Sequence, residues 1–343
     1  MKFKLLLILL LPLGNAQASS KTSQSQCSEV DLRSEMGPIR DQGDKGWCYA
    51  NAAADLLSFK HRQELHGQQV SAAYTALTYL RNIYGSIGDG GFVSGAVLAS
   101  EEYGICPRTI EDRVEQTGLS KLTLKERLDA LKQFKLDYDL ASQDDPKAAK
   151  RFMDRYRQYI NSKSMVAQMP YKILTNVLTN STSRTFIDEL GKNICSDQIK
   201  IPHEKYELVF DTKMASEPFD ISLLNQKVHV PALEWNPISL NKDFIATINQ
   251  QLSNNNIVAI DYFSHFLLTN FLKDPYTPQD GLHASVLVGR RWNSQSNSCE
   301  YLIRNSWGNQ CNSYEVKQNC EAGNIWVPER VLRYNLYAYI FME

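Results

Sequence analysis

Gln42-Gly43-Asp44-Lys45-Gly46-Trp47-Cys48-Tyr49-Ala50 hands one thiol to the start of a run that reads as a helix, with Ala50, Ala52, Ala53, Ala54, Leu56 and Leu57 following. Far downstream, Gly281-Leu282-His283-Ala284 supplies an imidazole and Arg304-Asn305-Ser306-Trp307-Gly308 an amide. A cysteine nucleophile needs a base, and the base needs a third group to orient it. The order Gln42, Cys48, His283, Asn305 meets that need, so these four are the candidate catalytic residues.

Working outward, the chain has 343 residues, 43% hydrophobic and 22% charged, as in a globular protein. A formal net charge of -1 gives no electrostatic reason to expect nucleic acid or an anionic membrane as partner. Lys2 and Lys4, the apolar stretch Leu5 to Leu13 and Ala16-Gln17-Ala18 read as a signal peptide cleaved before Ser19. The apolar run is too short to span a bilayer. The expectation is therefore an exported, secreted or periplasmic protein with no membrane contact after cleavage.

Seven cysteines in an exported chain imply disulfides and one leftover thiol. If Cys48 is free, then Cys27, Cys106, Cys195, Cys299, Cys311 and Cys320 can pair in 15 ways, with Cys311–Cys320 the easiest local guess.

Helical patterning marks the first part: a helix from Cys48 ending before Gly67, a second over Ala72 to Tyr84, and a third capped by Ser94 and running to Tyr103. The last hundred residues differ. Asn241 can cap a helix to about Leu252, and β-like runs follow at Ile257 to Tyr262, His283 to Trp292, Cys299 to Ile303, Asn324 to Val327 and Leu336 to Phe341. Residues 293–298 would join two of these as a hairpin. Helices first and strands later make an α+β fold. Between them the stretch 112–238 reads as mainly helical, opening with the capping box Thr123 and Glu126.

The site chemistry follows from residue type. A free thiol is only a few per cent thiolate at neutral pH. The positive end of a helix and a nearby imidazolium would both favour ionising Cys48. His283 would hold the ion pair and protonate the leaving amine. Asn305 would orient the ring, Trp307 would shield that bond from water, and Gln42 would donate to the oxyanion beside the Cys48 N–H. A lone cysteine is more often a disulfide partner, and a lone histidine before a strand more often structural. Context separates His283 from the other five histidines: Ala-Ser-Val-Leu-Val-Gly follows it, then a hairpin into Asn305.

These words resemble the papain-like cysteine peptidases. Val30-Asp31-Leu32-Arg33 with Gly37-Pro38-Ile39-Arg40 is similar to that family's mature N-terminus, and Asp89-Gly90-Gly91-Phe92 to its substrate-pairing Gly-Gly segment. The resemblance implies a two-lobe fold, helical lobe first and β-barrel-like lobe second, with a peptide-binding cleft between. It implies peptide or protein substrates, no cofactor, no metal, and Gly90, Gly91, Phe92, Leu282, Ala284 and Trp307 as substrate-binding residues. Phe92, Leu282 and Ala284 would favour an apolar substrate side chain.

The chain departs from the family pattern in several places. Lys45 and Trp47 replace a cysteine and a small residue before the nucleophile, and Leu282 precedes the histidine. His283 follows Cys48 by about 235 residues instead of about 130–150. The excess is the stretch 112–238, read as an insertion between the lobes. Only about a dozen residues separate Ser19 from Val30, too few for a folded propeptide.

The expected organisation is a signal peptide (1–18), a helical lobe (19–111), an insertion (112–238) and a β-rich lobe (239–343), in a bacterial, monomeric endopeptidase. A thiol acyltransferase or amidase on the same fold, or an inactive binding protein, are the alternative readings.

Overall fold

The computed structural model describes residues 27–43, 46–83, 90–107, 195, 198–201, 206–210, 244–273 and 281–342. The signal peptide, the capping box at Thr123, the helices expected between residues 112 and 193 and the Asn241 cap lie outside the described residues.

Five helices are described: α1 (Cys48–Lys60), α2 (Ala72–Ile83), α3 (Val93–Tyr103), α4 (Phe244–Ser253) and α5 (Glu329–Asn335). Eight strands form one antiparallel sheet: β1 (Val30–Asp31), β2 (Tyr206–Phe210), β3 (Val258–Phe263), β4 (Leu282–Asn293), β5 (Ser298–Arg304), β6 (Cys320–Glu321), β7 (Asn324–Pro328) and β8 (Leu336–Met342). Their order is β2-β8-β3-β4-β5-β7-β6, with β1 added against β4. The architecture is thus mixed helix and antiparallel sheet.

The sheet buries both faces, which is why β3 reads as a continuous apolar run. Ala259, Ala284, Val286, Leu302 and Ile340 pack with Tyr49, Ala53, Leu57, Val93 and Val97 of the first three helices. The alternate residues Val258, Ile260, Leu287, Tyr301 and Tyr339 pack with Ile245, Ile248 and Leu252 of α4 and Val331 and Leu332 of α5. Strands β3, β4, β5, β7 and β8 thus divide their side chains between two cores, as period-two alternation requires.

Most expected elements are found within a residue or two, but the first helix ends at Lys60, with His61 as C-cap, and turns carry the chain from there to Gly67. The third helix differs at its start: Phe92 is its N-cap, in extended backbone, and Ser94 lies buried inside it. Gly104 ends it at φ 87°, where glycine bears no steric penalty. Strands β1, β2 and β6 and helix α5 were not read from the sequence. Within 112–238, Cys195 is bonded to Cys106, Ile199 bridges Ile105, and β2 pairs with β8 from Tyr206–Met342 to Phe210–Ala338. The other disulfides are Cys27–Cys299 and Cys311–Cys320, leaving Cys48 as the free cysteine. No helix among the described residues is long and apolar enough to cross a membrane.

Candidate active site

Cys48 is the first residue of α1, half-buried, with Trp47 as N-cap; the Trp47 carbonyl accepts from the Ala50 and Asn51 amides and the Asn51 side chain. Helix α1 packs across β4, and the backbone amide of Ala284 donates to the Cys48 sulfur. The thiol therefore meets the start of β4 one residue beyond His283.

His283 is held from three sides. Its Nε2 lies 2.7 Å from Asn305 Oδ1, which also accepts from the Ser306 amide at 2.8 Å and the Ser285 hydroxyl at 3.2 Å. An oxygen already taking two donors assigns the imidazole proton to Nε2 and leaves Nδ1 as the acceptor nitrogen. Trp307 covers the ring at a centroid distance of 5.1 Å, and Tyr262 meets its edge at 5.6 Å. Tyr262 also holds the Ser285 hydroxyl at 3.0 Å.

Gln42 is fixed by strand-like pairing with the segment after Asn305. Its amide donates to the Ser306 carbonyl at 2.8 Å, Asp41 bridges Trp307, and the Gly308 amide donates to the Arg40 carbonyl at 2.9 Å. The Ser306 hydroxyl bonds Gln42 Oε1 at 2.5 Å, which makes Nε2 the donor end of that side chain. Gly308 has φ 76°, and a Cβ there would meet Asp41 Oδ2 at 3.1 Å, so the turn calls for glycine.

A buried charge cluster ties these segments together. Asp55, on α1, accepts from Arg40 Nε at 2.6 Å and from Arg304 Nε at 2.9 Å. Arg40 lies two residues before Gln42 and Arg304 one before Asn305. The cations hold the Asp55 carboxyl below the usual carboxylate range despite its burial.

Burial sets the electrostatics of Cys48 and His283, against the expectation of a depressed thiol. Burial pushes Cys48 up to about 11, outweighing the Ala284, Tyr49 and Cys48 amides that lower it. Burial likewise pushes His283 down to about 4, against the raising effect of Asn305. At each of the two groups desolvation is the largest influence and disfavours the charged form.

The Gly-Gly segment packs beside the start of α1. The Gly90 amide donates to the Gly46 carbonyl at 2.8 Å, and the Phe92 amide to the Tyr79 hydroxyl at 3.2 Å. A Cβ on Gly91 would lie 2.5 Å from Tyr79 and 2.9 Å from Tyr49, so only glycine fits between these rings. Leu282 is 53% exposed whereas Ala284 is buried.

No protein-family model and no curated protein matches the chain. Among solved structures, it is similar to PepW from Lactobacillus rhamnosis at 16% identity, over 92% of this chain and 81% of that one, with a TM-score of 0.50. The chain has the papain-like fold. Weaker likenesses are to xylellain, a cysteine protease from Xylella fastidiosa (13% identity, 95% and 90% coverage, TM-score 0.45), and to a digestive procathepsin L 3 from Tenebrio molitor larval midgut (14%, 95% and 72%, 0.43).

At such identities the likeness fixes the fold, and chemistry rests on the side chains. Within the papain-like fold Gln42, Cys48, Ala284, His283, Asn305 and Trp307 form one constellation. Sequence reading missed Ser285, Ser306 and Tyr262, which position Asn305 and His283, and the Arg40–Asp55–Arg304 cluster. It also missed Asp261, whose one signal was a carboxylate inside the apolar run Ile257 to Phe263.

Proposed function

We propose that the chain is an exported papain-like cysteine peptidase that cleaves peptide bonds through a thioester on Cys48. The observation behind this reading is the His283 Nε2–Asn305 Oδ1 bond at 2.7 Å, formed next to the residue whose amide touches the Cys48 sulfur. It orients the imidazole with Nδ1 as acceptor.

As the sulfur attacks the scissile carbonyl, an S–C bond forms and the thiol proton passes to His283. Thiolate and imidazolium stabilise each other as counter-ions, so the pair titrates as a unit. Gln42 Nε2 and the Cys48 amide stabilise the oxyanion. His283 then protonates the leaving nitrogen as the C–N bond breaks. Water, losing a proton to the same imidazole, hydrolyses the thioester and restores the thiol. Asn305 keeps the ring in place through both steps, and Trp307 keeps water off their bond. Gly90, Gly91, Phe92, Leu282 and Ala284 line the substrate cleft, and residues 112–238 enter as an insertion between helical and β-rich lobes. Three disulfides agree with export.

The test is turnover of a fluorogenic peptide pool by the mature protein and by three variants. Cys48→Ala and His283→Ala should each lower kcat by about 10³-fold or more, and Asn305→Ala by less. Unchanged turnover in Cys48→Ala would remove the reading.

A further inference from the structure

We propose that Asp261 is an acidic specificity residue of the cleft, taking the cationic side chain of a lysine- or arginine-containing peptide beside Cys48. The inference rests on the peptidase reading and names its substrate class.

Asp261 stands in the middle of the sheet, on β3, directly opposite Ala284 of β4. Ala284 is the residue whose amide meets the Cys48 sulfur. Strand alternation puts Asp261 on the face of Ala259, which packs with Val93, Ala284 and the partly buried Cys48. Helices α1 and α3 both pack against β3 on that side. On the other edge, the β3–β8 register shifts between Asp261 and Tyr262, so Tyr337 is passed over in the pairing between Ala338 and Leu336. Bulges of this kind recur beside active sites, where they re-aim side chains.

Among the described residues nothing holds the carboxylate there. Asp261 is 8% exposed, and burial alone accounts for its carboxyl being raised to about 7. No hydrogen bond or ion pair to it is found among the described residues. Three other buried acids are different: Asp55 has two arginines, Glu300 has Arg291 and Asn293, and Glu329 has Arg333. An unpaired buried carboxylate is a standing cost to a fold, and a purely structural role would supply a partner.

Its charge also works against the chemistry, because Asp261 raises the Cys48 thiol. A guanidinium or ammonium brought by the substrate would answer both problems. It would pair the carboxylate, and the neutralised acid would no longer oppose thiolate formation. The apolar preference expected from Phe92, Leu282 and Ala284 then describes the walls, with Asp261 setting the charge.

The experiment uses blocked peptide amides carrying arginine, or its uncharged isostere citrulline, at the first or second residue on the amino side of the scissile bond. The mature protein should prefer arginine at one of these positions by about tenfold or more in kcat/KM. Asp261→Asn should bring that ratio to within about twofold, and Asp261→Glu should keep most of it. A wild-type ratio near one at both positions, or a ratio that Asp261→Asn leaves intact, overturns the assignment.

Calorimetric binding of the same peptides to Cys48→Ala separates the two readings. If no peptide is cleaved but Cys48→Ala binds arginine peptides preferentially, and the added Asp261→Asn abolishes the preference, the acidic subsite stands and hydrolysis falls. If neither cleavage nor binding discriminates, the subsite falls.

Discussion

Asp55 and Asp261 are both buried, yet their neighbours drive them in opposite directions, lowered by two arginines in one and raised by desolvation in the other. The sign of each effect on stability follows by linkage. Asp55, with its folded pKa depressed, contributes stability above the unfolded value of about 3.9, lost as pH falls through the folded pKa. Asp261, raised to about 7, costs nothing below the unfolded value, and its cost grows between there and its folded pKa. Asp261→Asn should therefore stabilise the protein at pH 8 by about 2–4 kcal/mol and leave it nearly unchanged at pH 4. Urea unfolding at the two pH values measures this, and equal midpoint shifts at both would show that Asp261 is solvated or paired. At this scale the candidates Cys48, His283, Asn305 and Gln42 could be picked out because each sits in a distinctive local word. Asp261 could not, since one acid in an apolar run looks the same whether it is paired, exposed or poised in a cleft.

Helix α1 gathers the site. It presents Cys48 at its first residue, and two turns later Asp55 binds the arginines that precede Gln42 and Asn305. Arg304 also donates to the Pro38 carbonyl at 2.5 Å, and Arg40 to the Ser58 hydroxyl at 3.3 Å, so one helix face fixes both neighbouring loops. Removing the acid strands two buried cations. Asp55→Ala should cost about 3–5 kcal/mol at pH 7, the range for breaking a buried pair, and denaturant unfolding with unchanged slope would measure it. A loss below about 1 kcal/mol would mean that water reaches the cluster. The helices and the main strands were readable because period and composition agree over each. Strand β1 is two residues long, and α5 begins behind Pro328 without a side-chain cap, so neither leaves a local signal. Ser94 misled because it is a good cap by type, whereas Phe92 begins the helix without a side-chain cap.

The whole molecule joins its two cores through the sheet, and the stretch 112–238 bears on that sheet at its far end. The sequence reading treated this stretch as one helical block, because its excess length coincides with a change in pattern. Yet β2 pairs with β8 along five residues, and Cys195 closes on Cys106 with their Cα atoms 5.9 Å apart. Pairing across such a separation has no local signature, so the sequence could not divide the stretch. The division predicts two different deletions. Replacing residues 112–193 with a short flexible linker joins chain ends that the disulfide already brings together, at a small loop-closure cost. That variant should fold cooperatively and titrate with a single free thiol, Cys48. Replacing 112–238 instead removes β2, uncovers the β8 edge and leaves Cys106 without its partner. A lost disulfide closing a loop of this size costs about 4–5 kcal/mol on chain entropy alone, and an unpaired strand edge invites association. Thermal melts, thiol titration and size-exclusion chromatography of the two variants side by side decide the matter. Equal stability would show that β2 adds nothing to the sheet, whereas failure of the shorter deletion alone to fold would make residues 112–193 part of the core.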